Sequence, residues 1–195
     1  MYFCRKEDSM TLQNRTKIMF ANTMKELMQT TPLHEIRVTE ICKLCGSDRK
    51  TFYYHFKDKY DLVAWIYSQS IQSVLELSDG NIGMEESIQI FNKLKEDASF
   101  YKNAYNDYSQ NALSWYIQQN NVEIYTKTVK KYLNSETISK ELEFSILYHC
   151  YASFHLSKDW ILDKLNYNTE ELTNYIFENM PISLKKIISN KNNAV

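Results

Sequence analysis

The sequence contains very few residues that interrupt a helix, with 3 glycines and 2 prolines among 195 residues. Both residue types disfavour helix interiors, and β-sandwiches and barrels need them at frequent turns. Apolar residues instead recur every three to four positions, which is the period of an amphipathic helix. The sequence therefore predicts an all-α fold.

Long apolar runs are absent as well. No run approaches the ~20 residues that cross a bilayer, and residues 1–10 lack the apolar core of a signal peptide. We therefore expect a cytoplasmic protein with no membrane partner. In that compartment the 4 cysteines, Cys4, Cys42, Cys45 and Cys150, are expected to be free thiols.

The sequence also has little of the chemistry that enzymes need. It has 4 scattered histidines, no glycine-rich phosphate loop, no G-x-S-x-G motif and no convincing carboxylate pair. Cys42-x-x-Cys45 has no second cysteine pair or H-x₃-H partner, so we expect two small core residues rather than a zinc or redox site. The prediction is a protein that is not an enzyme and uses no metal or cofactor.

The net charge of −1 conceals an uneven distribution. Residues 1–60 carry 11 Lys/Arg and 7 Asp/Glu, a balance of +4, whereas residues 61–195 carry 12 and 17, a balance of −5. A basic N-terminal part on an acidic body is typical of a protein that meets phosphate at one end.

Residues 35–60 have the pattern of two short helices joined by a tight turn and followed by a third helix. Gly46 can adopt the positive φ that such a turn requires, and Asp48 can cap the helix that begins at Arg49. Four apolar residues precede the turn at helical spacing: Ile36, Val38, Ile41 and Leu44. This pattern indicates a helix-turn-helix.

The segment resembles the N-terminal helix-turn-helix of the TetR/AcrR family of regulators. The resemblance covers about residues 11–67, and the run Lys50-Thr51-Phe52-Tyr53-Tyr54-His55-Phe56-Lys57-Asp58-Lys59 is most similar to the branch that contains regulators of dihydroxyacetone kinase operons. The family's architecture implies a three-helix DNA-binding domain over residues 1–67, which includes the start of connecting helix four. Residues 68–195 would then form a helical bundle for dimerisation and effector binding.

The resemblance and the residue chemistry together nominate a DNA-binding set. Arg49 and Lys50 lie in the first turn of the recognition helix, where Arg can bond guanine with two hydrogen bonds. Five further candidates would contact phosphates: Arg15, Thr51, Tyr53, His55 and Lys59. Tyr54 could touch a base, a phosphate or nothing. The alternative is that these are solvated surface groups, as most charged residues are. Phe52 and Phe56 are expected in the core.

Two positions depart from the family pattern. Ser47 occupies a turn position that is usually apolar, and Arg37 stands where a Ser or Thr usually caps helix two. Loss of that cap would weaken the helix by ~1 kcal/mol. Neither change removes a group that faces DNA.

The rest of the sequence predicts further amphipathic helices. Helix one is expected from near Thr11 with Ile18 on its buried face, and residues 112–120 and 122–134 read as two helices. Asn168 and Glu171 form a capping-box pattern, and Pro181 separates a last short helix. Most aromatic and histidine side chains of this part are explained as ordinary helical-bundle core. The family resemblance implies an effector pocket here as well, with four candidate residues: Tyr105, Trp115, His149 and Tyr151. The resemblance also implies that the last two long helices pair with their copies in a second subunit, with a seam of Phe154, Trp160, Ile161, Leu172, Tyr175 and Ile176.

The resulting hypothesis is a homodimeric regulator, most commonly a repressor in this family, although the branch leaves activation open. It would bind a pseudo-palindromic double-stranded operator under control of an unknown small-molecule or protein effector. The alternative is a helical interaction protein that has lost specific operator binding and acts through a protein partner.

Overall fold

The computed structural model describes residues 4–78, 82–109 and 112–190, with side chains for positions 13–189 of these ranges. Every regular element in them is an α-helix, which confirms the predicted fold class. In chain order the helices are α1 (Cys4–Leu27), α2 (Val38–Leu44), α3 (Arg49–His55), α4 (Lys59–Leu77), α5 (Met84–Glu96), α6 (Ala98–Tyr105), α7 (Leu113–Leu133), α8 (Lys140–Ile161), α9 (Thr169–Glu178) and α10 (Ile182–Asn190).

The first three helices and the start of α4 form the predicted helix-turn-helix. Helix α3 has the bounds expected from sequence, and α1 begins at Cys4, earlier than the predicted Thr11. Ala21, Met24 and Phe20 of α1 are buried, but Ile18 is half exposed, which corrects its predicted place in the core. The buried face of α1 therefore includes Phe20 and leaves Ile18 outside it.

Helix α4 connects the two parts of the molecule. Its buried residues recur at helical spacing along nearly its whole length and include Leu62, Ile66, Ile71 and Val74. The proposed domain boundary after residue 67 therefore lies inside an unbroken helix. The stretch from Ser78 to Gly83 contains two of the three glycines, and the sequence predicts a break between the two parts there. Residues 79–81 of this stretch lie outside the described ranges.

The C-terminal part packs α7 on α8 and α5 on both α4 and α9, with α10 against α7 and α8. Helix α7 corrects the prediction of two helices over residues 112–134. Ile117, Tyr125 and Val129 are all buried on one face, so packing keeps the helix continuous past the two asparagines at 120 and 121. It ends where Asn134 adopts a left-handed conformation with φ of 48°.

Local signals at the chain's end are confirmed. Asn168 accepts a hydrogen bond from Glu171 N while the Glu171 carboxylate accepts one from Asn168 N, each at 2.9 Å. Pro181 separates α9 from α10 as expected. Among the described helices, none combines the length and apolarity needed to span a membrane.

The larger of two apolar cores is continuous from α1 to α9. It joins the helix-turn-helix to the body through residues such as Phe20, Leu62, Tyr101 and Phe154. A second, smaller core lies where α7, α8 and α10 meet, around Val129, Cys150 and Leu184. The helix-turn-helix is thus packed onto the body rather than tethered to it.

Candidate DNA-binding surface and body

The turn and cap that orient α3 are those the sequence predicts. Gly46 has a φ of 65°, and Ser47 N donates to Cys42 O at 2.9 Å across the turn. The Asp48 carboxylate accepts a hydrogen bond from Thr51 N at 2.7 Å. That N–H bond lowers the pKa of Asp48. The N-terminus of α3 is therefore closed by a charged cap.

The departure at Arg37 is seen in the structure as a missing side-chain cap. Arg37 occupies the N-cap of α2, where its side chain makes no capping hydrogen bond within the described part of the chain. The helix still forms, from Val38 to Leu44, because Ile41 and Cys42 pack into the core.

The inward face of α3 is fixed by aromatic packing. Phe52 and Phe56 are buried, which confirms their predicted core role. The Phe20 ring of α1 meets them edge to face, with centroid distances of 5.2 and 6.3 Å. Such aromatic pairs restrict rotation of the short helix about its own axis, so its outer residues keep one orientation.

The outward face of α3 carries cations and phenols. Arg49, Lys50, Tyr53 and Tyr54 are exposed, whereas Thr51 and His55 are half-buried. The Arg49 guanidinium lies over the Tyr53 ring at 5.8 Å. An Arg stacked in this way gives up less side-chain freedom when it binds a planar partner.

Helix α1 borders this face. Arg15 is exposed on it, and Gln13 Nε2 donates to Tyr54 Oη at 3.1 Å. The Lys17 ammonium sits 5.7 Å from the rings of both Phe56 and Trp65. Burial, and then the charge of Lys17, lower the pKa of His55, which keeps that imidazole neutral and able both to donate and to accept. Gln13 was missed from sequence because only the fold brings its side chain beside Tyr54 of α3.

Lys59 does not match its predicted role. Its ammonium donates to three backbone carbonyls of the connection between α1 and α2: Leu33 O at 2.7 Å, His34 O at 2.9 Å and Ile36 O at 2.9 Å. An ammonium has three donors, so these bonds use its full capacity. Burial lowers the pKa of Lys59. The structure thus gives Lys59 an internal structural role in place of a phosphate contact.

The cysteines behave as core residues. Cys42, Cys45 and Cys150 are free, as predicted, and the side chain of Cys4 lies outside the described positions. Burial raises the pKa of both Cys42 and Cys45, and it raises that of Cys150 to about 12. Thiols shifted in this direction are poor nucleophiles and poor metal ligands.

A small internal cavity lies in the body, with a volume of about 70 Å³. Two of the four predicted pocket residues, Tyr105 and His149, line it. Trp115 and Tyr151 do not, because they are 61% and 45% exposed on the outer faces of α7 and α8, which corrects the predicted pocket.

The cavity's polar groups are largely occupied by the chain itself. His149 Nε2 and Tyr125 Oη share a hydrogen bond of 3.1 Å. The hydroxyls of Ser87, Ser157 and Thr173 donate to backbone carbonyls at 2.7–2.9 Å within or just before their own helices. Burial lowers the pKa of His149 to about 4, so the ring is neutral at pH 7. Apolar surface therefore dominates what the cavity offers.

The predicted dimer residues require a correction on burial. Five of the six are inside the subunit: Phe154, Trp160, Ile161, Leu172 and Ile176. A side chain enclosed by its own subunit has no surface with which to contact another. Tyr175 alone of the six is exposed, at 53%.

A different face of α8 is apolar and exposed. Its members are Phe144, Leu147, Tyr148 and Tyr151, and Tyr175 of α9 is also exposed. The rings of Phe144 and Tyr148 stack with centroids 6.5 Å apart. The signal for this face was in the sequence, because residues 144, 148 and 151 follow helical spacing beside the stripe that contains Phe154.

Comparison with known proteins adds a family and several structural relatives. Residues 84–181 match the family TetR_C_8, described as a transcriptional regulator C-terminal region. The chain is 27% identical over 88 residues to the HTH-type dhaKLM operon transcriptional activator DhaS of Lactococcus lactis subsp. lactis (strain IL1403). That match covers 45% of this chain and 47% of DhaS, so the chain spans about half the length of the curated relative.

Two solved structures share the fold. One, a dihydroxyacetone kinase operon activator DhaS, has a TM-score of 0.63 and 20% identity over 88% of this chain and 97% of its own. The other, a tetR-family transcriptional regulator from Streptomyces coelicolor, has a TM-score of 0.56 and 10% identity over 91% of this chain and 88% of its own.

Proposed function

This chain belongs to the TetR family of transcriptional regulators, and on that premise we propose that it works as a homodimer whose two α3 helices bind a pseudo-palindromic operator. The observation that carries the proposal is the outward face of α3. Arg49, Lys50, Tyr53 and Tyr54 project from a helix whose opposite side is fixed in the core.

The chemistry of that face divides into two tasks. Arg49 and Lys50 lie in the first turn, where side chains enter the major groove and can bond guanine O6 and N7. Tyr53 and His55 can donate to phosphates, as Arg15 of α1 can by its charge. Lys59 is not among the DNA-binding residues we propose, because its ammonium N–H groups bind the chain's own carbonyls.

We propose that the dimer forms through the exposed apolar face of α8 together with α9. Two copies of this pair would make a four-helix bundle, which buries the aromatic side chains that each subunit leaves in water. Symmetric half-sites one helical turn apart would then lie about 34 Å apart.

The dimer proposal has its own test. Phe144→Lys places a charge within the proposed seam at a position that is 68% exposed in the subunit, so the fold should persist. Leu77→Lys, at a residue 88% exposed on α4, is the matched control. Sedimentation velocity should show monomers for Phe144→Lys and dimers for Leu77→Lys. If both variants sediment as dimers, the seam lies elsewhere.

The effector remains a small molecule or a protein. A cavity of about 70 Å³ is well below the ~300 Å³ at which typical ligand pockets begin. A ligand held there without enlargement would be small and largely apolar, with contacts to Tyr105 and His149. A protein effector would need no cavity.

The direction of control is proposed from two considerations. Repression is the commoner mode in the family, whereas both DhaS proteins are named as activators. The similarity to them favours activation for this chain. A reporter gene under the recovered operator, measured with and without the protein, would distinguish the two directions.

The experiment that tests the function is selection of bound DNA from genomic fragments, followed by binding to the recovered sequence over a range of salt concentrations. A sequence-specific binder should show a steep loss of affinity with salt together with preference for the recovered site. Binding that ignores sequence, or no binding, would favour the alternative of a helical protein that acts only through a protein partner.

A further inference from the structure

The connection between α1 and α2 receives side-chain hydrogen bonds both from the body and from the start of α4. Pro32 lacks an N–H and stops α1 from continuing, and a helix end leaves carbonyls without intrahelical partners. The turns that follow α1 likewise leave two carbonyls, Met28 O and Thr31 O, directed toward α6 of the body. A side chain from α6 binds both.

That side chain is Asn103. Its Nδ2 donates to Met28 O at 2.8 Å and to Thr31 O at 2.7 Å, and its Oδ1 accepts from Leu33 N at 2.9 Å. The amide orientation is determined by these partners, because exchanging O and N would set an N–H against an N–H and an oxygen against two carbonyls. Three directional bonds fix both the distance and the angle between α6 and the connection.

The same peptide segment is bonded on its other side by α4. Leu33 is 1% exposed; its N–H goes to Asn103 and its carbonyl accepts from Lys59. The connection is therefore held between α6 and the start of the helix that follows α3. A displacement of α6 would move the helix-turn-helix through this segment as well as through α4.

Helix α6 also contacts the other parts of the body that could move. Tyr101 Oη donates to Ser70 Oγ of α4 at 3.1 Å, and Tyr105 lines the cavity. Lys102 forms an ion pair with Asp163, which follows α8. One eight-residue helix thus touches the cavity, the connecting helix and the end of the proposed dimer helix.

We propose that Asn103 is a positioning residue that sets the orientation of the helix-turn-helix relative to the body, and so the spacing of the two α3 helices on DNA. The consequence for DNA rests on the proposed function; the orientation itself does not. A residue that only capped α1 would contribute stability and leave orientation to α4.

The test uses Asn103→Asp, which keeps the size and the acceptor for Leu33 N but replaces the two N–H donors by an oxygen. Asn106→Asp is the matched control, since it makes the same change at an exposed position three residues later on the same helix end. Donor and acceptor dyes at Lys43 of α2 and Gln119 of α7, both exposed, would report the orientation by single-molecule energy transfer in one chain.

For Asn103→Asp we expect a broader or shifted distance distribution, with Asn106→Asp matching the wild type. On operators with varied half-site spacing, the preference for the best spacing should fall about 2- to 30-fold in Asn103→Asp only. An unchanged distance distribution, with only a lower melting temperature, would overturn the inference. If the wild type binds no DNA, the proposed function fails, and the distance distributions alone still decide the role of Asn103.

Discussion

Replacing Lys59 by Met removes the ammonium while keeping a flexible side chain of similar length. In the folded chain this leaves Leu33 O, His34 O and Ile36 O without the donor that binds them at 2.7–2.9 Å. Hydrogen bonds to charged groups contribute about 1.5–3 kcal/mol each, and bonds from one group are not additive. Lys59 is half-buried, so water can partly replace it. We expect a loss of about 2–4 kcal/mol in the free energy of unfolding.

Thermal unfolding followed by circular dichroism measures this loss. For a chain of this length each kcal/mol lowers the melting temperature by about 2–4 °C, so Lys59→Met should melt about 5–15 °C below the wild type. Lys57→Met is the control, because Lys57 is exposed two residues away and most such surface changes stay within about 0.5 kcal/mol.

The outcome separates two accounts of the same residue. If Lys59 contacted phosphate, as the sequence pattern predicts, Lys59→Met would melt with the wild type, and the slope of log affinity against log salt would fall by about 1. That result would refute the structural role derived from the three carbonyl bonds.

Arg49→Ala should weaken operator binding and relax base preference by about 1–3 kcal/mol at one position, whereas Tyr53→Phe should weaken binding to all sequences alike; competition binding with mutated operators checks both. The pKa of His149 is about 4 in the folded chain against 6.5 in the unfolded chain, so the unfolded state binds the extra proton. Stability should therefore be full above pH 6.5 and fall by about 3 kcal/mol as pH drops to 4, and His149→Gln should remove that component of the pH dependence in urea titrations. Asn168→Ala should cost about 1 kcal/mol through loss of the α9 cap, and Asn168→Ser should restore most of it; urea midpoints that are equal for all three proteins would contradict this.

The helix-turn-helix was predictable because its boundaries depend on local chemistry. Gly46 supplies the positive φ, and Asp48 and Asp58 supply caps whose hydrogen bonds are seen in the structure. Each of these signals acts within about four residues of itself. The starts of α3 and α4 therefore follow from the sequence without knowledge of the rest of the fold.

The sequence predicts that the body is helical, but it does not predict which face of each helix is buried. Helix α8 has apolar residues on two faces, and periodicity identifies both stripes without saying which one the subunit buries. Phe154 is 2% exposed and Phe144 is 68% exposed, although each is an aromatic residue at helical spacing from similar neighbours. The choice is made by α7 packing on one side of α8, which is a contact between distant parts of the sequence.

Lys59 and Asn103 show the same limit at single residues. The sequence places Lys59 correctly at the start of α4, where a cation can meet phosphate. Its reach to the connection between α1 and α2, 23–26 positions away, depends on how that connection folds beneath it. Asn103 lies 70–75 positions from its partners, beyond any local signal.

Hydroxyl-radical footprinting of the protein on the DNA it selects tests the central claim that the outer face of α3 binds the major groove as a symmetric pair. We expect two protected patches with centres about 34 Å apart, both of which weaken in Arg49→Ala. Uniform protection along the fragment, or two patches that are unchanged in Arg49→Ala, would contradict that claim.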